Sequence, residues 1–281
     1  MPLSALALLV VAGATHAGWN LLVKRAQQRQ IFTWLSLVAG TLCFLPLLVF
    51  GAPALPPSAW PFVVASDIVE ALYFFALIRA YGIGDFSLVH PLARGAAPAL
   101  LALWATLFLG ERLRPAGLVG LAIVCGGLLT VSGGVRAMRA GRGAVGAALL
   151  VALCISVYSA IDGAAMQTLP PIPYTVVVLG CCALWCAPFV VWRYRPAPIA
   201  AEWRLNWPRI VAVGALNLAT YMLVLTAYSR APVAYAGAIR EISIIFAALI
   251  GWRWMGEGFG RARTLGATLI FCGIVVIAAF G

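Results

Sequence analysis

Two arginines set inside apolar runs carry the first chemical signal in this sequence. His90-Pro91-Leu92-Ala93-Arg94-Gly95 opens a run that stays apolar to Leu109 and ends in Gly110-Glu111-Arg112. Ala236-Gly237-Ala238-Ile239-Arg240-Glu241-Ile242-Ser243 leads through a second run to Gly256-Glu257. Arg94 and Arg240 hold the same place in each, since 111 − 94 and 257 − 240 are both 17. A charge inside such a segment is costly and normally faces a protein interior or a watery cavity, paired with something. A guanidinium stays charged at any accessible pH, and its planar fork matches a carboxylate or phosphonate. Two of them at matching positions point to an anion-binding site between two repeats. The competing reading is structural, with Arg94 bridging Asp67 or Glu70 and Arg240 bridging Asp162 or Glu241.

Other polar residues fall three or four apart, on shared helix faces. His16, Asn20 and Lys24 form one stripe, Asp67 and Glu70 a second, His90 and Arg94 a third. Tyr158 with Asp162, Asn217 with Thr220 and Tyr221, and Arg240 with Ser243 complete six stripes on six helices. None faces lipid cheaply, so they are expected to converge on one cavity, with Trp19, Tyr73, Trp104, Tyr158 and Tyr221 as walls. Arg94, Arg240, Glu241, Asn20, His16, Tyr158, Asn217, Tyr221 and His90 are the candidates for substrate contact. Glu70, Asp67 and Asp162 are the candidates for proton coupling, Glu70 first, because a buried carboxyl takes up a proton more readily than a solvated one. Glu241 is a second candidate for that role. A carboxylate there also suits a substrate ammonium. Either histidine titrates near neutral pH in water or serves as a hydrogen-bonded packing residue.

The elements that position these residues follow from composition. Hydrophobic residues make up 64% of the 281 and charged ones 10%, against roughly 25% charged in a soluble domain. The chain reads as an all-α integral membrane protein. Spans of roughly 20 apolar residues are expected at 3–22, 31–50, 59–80, 86–109, 115–134, 143–166, 172–193, 207–229, 233–253 and 261–280. Pro91, Gly95 and Pro98 read as interruptions of the fourth, and Pro196 and Pro198 as breaks in the connector 194–206. The first segment has no Lys or Arg ahead of its apolar run, unlike a cleavable signal.

The runs repeat in order. His16-Ala17-Gly18-Trp19-Asn20 aligns with Tyr158-Ser159-Ala160-Ile161-Asp162, Ala80-Tyr81 with Ala227-Tyr228, and Cys125-Gly126 with Cys272-Gly273. The expected units are 1–134 and 143–281, five helices each. An odd number of helices inverts the second repeat in the membrane, and carriers of that design bind solute near the midplane, at the repeat interface.

The net charge of +11 would suggest nucleic acid in a soluble chain. Here the basic residues lie mostly in connectors. Fourteen fall on the side of connectors 1–2, 3–4, 5–6, 7–8 and 9–10, and three (Arg112, Arg114 and Arg230) on the other. The positive-inside rule then puts the first set in the cytoplasm and both termini outside. Trp60, Trp203, Trp207 and Trp252 near span ends read as interface anchors. The seven cysteines lie in apolar runs and read as small packing residues, Cys181, Cys182 and Cys186 included.

In these features the chain resembles the drug/metabolite transporter superfamily in its ten-helix, twin EamA-type form. The likeness rests on the five-plus-five repeat, the Gly-Glu endings of helices four and nine, and the His16-Ala17-Gly18-Trp19-Asn20…Lys24 opening. That opening, with Pro91-Leu92-Ala93-Arg94-Gly95 and Arg240-Glu241-Ile242-Ser243, also looks like a branch found beside phosphonate-use genes. The family's usual topology puts both termini in the cytoplasm, with basic residues after helix two. This chain departs there, since 51–58 is uncharged.

The function these features imply is secondary active transport of a small polar metabolite across the cytoplasmic membrane. Amino acids, aminophosphonates and related anionic or zwitterionic solutes fit, moved by alternating access with proton coupling or exchange. Alternatives are export of drugs or lipophilic cations, and flipping of a lipid or lipid precursor. No ATP-binding loop, HExxH motif or paired-aspartate motif argues for a pump or a membrane enzyme. Nothing calls for a cofactor, a metal, nucleic acid or an obligatory protein partner. The expected partners are a small solute and membrane lipid, and one chain suffices to enclose the site. Arg94→Ala and Arg240→Ala are each expected to abolish flux.

Overall fold

Every element of the computed structural model is helical among the described residues, which are 1–24, 26–51, 53–83, 86–131, 142–255 and 260–281, without the side chains of 24, 78, 81–82, 86–91, 142, 251 and 254–255. Ten helices follow in order: α1 (Leu3–Lys24), α2 (Arg29–Phe50), α3 (Trp60–Ile83), α4 (Phe86–Phe108), α5 (Pro115–Val131), α6 (Arg142–Ala165), α7 (Pro171–Tyr194), α8 (Pro196–Tyr228), α9 and α10 (Arg261–Phe280). α9 comes in two pieces, Val233–Ile239 and Ser243–Met255, joined by the tighter turn Arg240–Ile242. Eight of the ten are long and apolar enough to cross a membrane, and α4 and α5 supply the shorter apolar stretches Leu92–Phe108 and Pro115–Val131. Large side chains face outward along their length. Phe50, Leu3 and Trp192 are 86%, 80% and 78% exposed, a surface suited to lipid rather than water.

The packing is that of two intertwined five-helix repeats. α1 lies against α8 and α9 of the second repeat, and α6, its counterpart, lies against α3 and α4 of the first. α5 and α10 pair with each other along glycines. A Cβ on Gly120 would stand 2.9 Å from the Gly273 carbonyl, and one on Gly127 2.8 Å from that of Gly266. Both 273 − 127 and 266 − 120 equal 146, as does 240 − 94, so the contact is the same patch meeting itself about a two-fold axis. This register sits one residue from the match of Cys125-Gly126 with Cys272-Gly273, which needs 147. The buried face of each helix, not the likeness of the dipeptides, sets the alignment.

Two expectations about prolines are corrected. The eighth helix starts at Pro196 rather than near 207, because Pro196 and Pro198 lie in its first turn, where no N–H is needed. Only Arg195, at φ 60° and ψ 164°, separates it from α7. At 33 residues α8 extends for about 50 Å. Its added turns bury Glu202 and Asn206, with Asn206 donating to Glu202 Oε1 at 2.8 Å, while the exposed Arg209 donates to Asn206 Oδ1 at 3.4 Å. α4, by contrast, runs through Pro91, Gly95 and Pro98 without a break. A proline in a membrane helix removes one bond, and neighbouring groups can satisfy the freed carbonyl.

Candidate functional site

Eight helices, all except α5 and α10, wall a central cavity of about 260 Å3. Each polar stripe sends at least one described member to it. α1 contributes His16 and Trp19, α3 Glu70 and Tyr73, α4 Arg94, α6 Tyr158, α8 Asn217, Thr220 and Tyr221, and the turn in α9 Arg240 and Glu241. α2 and α7 add Thr33 and Leu37, and Leu179, Cys182 and Cys186. No stripe marked those two helices, because the residues they present are small or apolar.

The arginines differ sharply in their surroundings. Glu241 is buried and faces Arg94 with both oxygens, taking Nε at 2.8 Å and Nη2 at 3.0 Å. Arg94 Nη1 lies 3.1 Å from His16 Nε2. The expectation that Arg94 bridges Asp67 or Glu70 is thus corrected, its carboxylate coming from the opposite repeat. Arg240 also comes near Glu241, at 4.0 Å from Oε1, a distance too long for a hydrogen bond. Its Nε is buried without an acceptor among the described residues. The local cause is the tight turn Arg240–Ile242, which sends two successive charges to one wall. A short stretch of this kind inside a helix often marks a hinge or a strained site. No proline flags it in the sequence, and Gly237, one turn earlier, sits within the regular helix Val233–Ile239.

The remaining acids occupy distinct places. Glu70, mostly buried, lines the cavity beside Tyr73. Asp162 is fully buried and accepts from Tyr174 at 2.8 Å and from Tyr221, so it supports the wall instead of lining it. It is therefore not the bridge to Arg240. Asp67 is buried outside the lining, with Oδ1 unpartnered among the described residues. Asn20 is exposed, and its amide donates to the His16 carbonyl of its own helix at 2.8 Å, so it does not join the cavity. Trp104 turns aside to donate to Ser156 Oγ at 3.0 Å, and does not line it either. The side chains of His90 and Lys24, Tyr81, the Gly256-Glu257 pair and most of 136–142 lie outside the described residues. Among the described residues no cluster of three or more metal-ligating side chains occurs.

One contact between the repeats went unread in the sequence. Gly110, at φ 69°, ends α4 in the left-handed conformation that suits glycine. Glu111 then reaches the start of α9, accepting from the amides of Val233 and Ala234, the latter at 3.2 Å. Tyr235 OH accepts from the Arg114 amide at 2.9 Å beside it. Burial pushes the Glu111 carboxyl above its ordinary value, and the two amides offset part of that rise. The spacing of the Gly-Glu pairs flagged the residue, but gave it no partner.

No curated protein matches the chain in sequence. A solved crystal structure aligns with TM-score 0.78 over 99% of both chains at 21% identity, which speaks for the fold alone. The model of the EamA-like transporter family matches twice, at residues 3–133 and 142–279, and each match carries one of the two cavity arginines. With nearly its whole length accounted for in this way, the chain belongs to the EamA-like transporter family, a family of membrane transporters within the drug/metabolite superfamily.

Proposed function

We propose that the protein is a secondary active transporter of a small solute bearing a carboxylate or phosphonate, of the amino-acid or aminophosphonate kind. It works by alternating access in the cytoplasmic membrane, with both termini outside as the charge asymmetry directs. One observation carries the reading. Arg240 lines the cavity with a guanidinium that no described residue hydrogen-bonds, whereas the fork of Arg94 is filled. A cavity cation whose nearest carboxylate, at 4.0 Å, is already bound to another arginine is suited to take an anion. Tyr158, Tyr221, Asn217 and His16 surround the solute, and Glu70 on the α3 wall takes a proton or the solute's ammonium. Asn20, Asp67 and Asp162 lie outside the lining and act through neighbours.

The test is thermal stabilisation of the purified protein by alanine, aspartate, 2-aminoethylphosphonate, citrate and tetraphenylphosphonium. A ligand of the folded state raises the apparent melting temperature by mass action. Stabilisation by an anion or zwitterion, lost in Arg240→Ala, supports the reading. Response to tetraphenylphosphonium alone, unchanged in that variant, replaces it with the second reading, export of a lipophilic cation, which the aromatic walls Trp19, Tyr73 and Phe74 favour. In flux assays Glu70→Gln should remove the dependence on external pH. A pH profile like the wild type's would clear Glu70 of proton coupling.

A further inference from the structure

The two arginine sites occupy equivalent positions without being equivalent sites. Residue 95 corresponds to residue 241, since 241 − 95 and 240 − 94 are both 146, yet one is glycine and the other glutamate. Only the second repeat supplies a carboxylate. That carboxylate crosses the repeat boundary to fill the Arg94 fork, and it still lies 4.0 Å from Arg240. Among the described residues no other acid comes within that distance of either arginine. A planar, two-oxygen anion on Arg94 has the shape and charge that a substrate carboxylate or phosphonate would present.

This matters for the return stroke of the carrier. A net cycle requires the empty site to pass from one side of the membrane to the other. An arginine stripped of its anion in a low-dielectric interior makes that passage expensive. A carrier whose arginines were neutralised only by substrate would therefore be confined to exchange. Glu241 lifts that confinement for Arg94 and, from 4.0 Å, also screens Arg240; the two side chains stand on the same cavity wall, 16% and 17% exposed.

We infer that Glu241 is a built-in counter-anion, filling the Arg94 fork whenever substrate is absent, so that the empty carrier reorients and transport is net. The substrate's anionic group arrives at Arg240 and competes with Glu241 for Arg94, which loosens the tie between α4 and α9. The inference rests on the anionic-solute reading above, and it concerns the mode of transport rather than the solute.

Proteoliposomes preloaded with radiolabelled 2-aminoethylphosphonate, or with radiolabelled alanine, separate the two modes. Efflux into solute-free buffer measures net transport, and efflux into buffer with the unlabelled solute measures exchange. The wild type is expected to show both. Glu241→Gln keeps the side chain's shape without its charge, and should lower net efflux relative to exchange by about tenfold or more. An unchanged ratio overturns the inference, as does a parallel loss of both modes in a variant that the solute still stabilises thermally. A wild type confined to exchange overturns it as well. Should Glu241→Gln fail to insert, Glu241→Asp, with its carboxylate drawn back by one methylene, must lower the same ratio; a wild-type ratio there is equally fatal. A wild type that moves no member of the solute panel in either mode defeats the anionic-solute reading itself.

Discussion

α4 and α9 hold the same arginine in the same place, yet they solve the problem of carrying it in opposite ways. α4 has two prolines and a glycine around Arg94 and stays helical from Phe86 to Phe108. α9 has no proline near Arg240 and changes helix type there. Helix-breaking residues are thus a poor guide to the interruption in this molecule. The better guide is the demand for two successive charges, Arg240 and Glu241, to reach one cavity wall. The second repeat meets it by tightening its backbone. The first, with Gly95 in place of a glutamate, has no such demand and keeps its helix.

The contrast is broken most severely by removing the arginines one at a time. Arg94→Ala leaves Glu241 buried without its partner, and breaking a buried pair from one side costs about 3 kcal/mol or more. The empty variant should melt well below the wild type. Removing both members, in Arg94→Ala with Glu241→Ala, should recover most of that loss. Arg240→Ala removes a cation held only by a 4.0 Å contact to a carboxylate already bound to Arg94, so its empty form should melt near the wild type while losing all stabilisation by solute. Equal melting temperatures for the two single variants would erase the distinction between a tied arginine and a waiting one.

A finer contrast lies in α5. A Cβ on Gly127 meets the Gly266 carbonyl and the Ile270 amide, both at 2.8 Å, whereas one on Gly126 meets nothing within 4 Å. Gly127→Ala must push α10 away and should destabilise by about 1–3 kcal/mol, the usual range for overpacking. Gly126→Ala should be neutral in the same denaturation assay. The reverse order would restore the alignment that the two Cys-Gly dipeptides suggest.

Much of this arrangement is legible in the sequence, for physical reasons that also mark where legibility ends. Apolar length located the spans because lipid forces every backbone polar group into helical bonds. The polar stripes led to the cavity because no charge at those positions faces lipid cheaply. Pairing was harder. Arg94 had Asp67 and Glu70 to choose from within its own repeat, and only packing shows that α4 meets α9. Cys182 and Cys186 gave no sign of lining the cavity, since a thiol in an apolar run looks like any small packing residue. Asn20 had the right spacing but spends its amide on its own helix. Prolines misled twice, at the start of α8 and within α4, because their effect depends on whether the lost N–H was needed.

The mildest test concerns another link between the repeats, where Glu111 caps α9. Glu111→Ala withdraws the acceptor from two first-turn amides and should cost about 1 kcal/mol, as the loss of a helix cap does. The pH dependence has a definite sign. Burial raises the Glu111 carboxyl above its unfolded value, so the folded chain holds the proton at a pH where the unfolded chain has released it. Its contribution to stability is complete below the ordinary carboxyl range and declines as pH rises through the raised value. Glu111→Gln keeps an acceptor for α9 but does not titrate. Melting temperatures followed from about pH 4 to pH 8 should fall more steeply with rising pH in the wild type than in this variant. Parallel profiles would mean that Glu111 is as solvated in the folded chain as in the unfolded one, leaving the junction of α4 and α9 to its apolar packing, Leu101 against Gly237, and to the pair of Arg94 and Glu241.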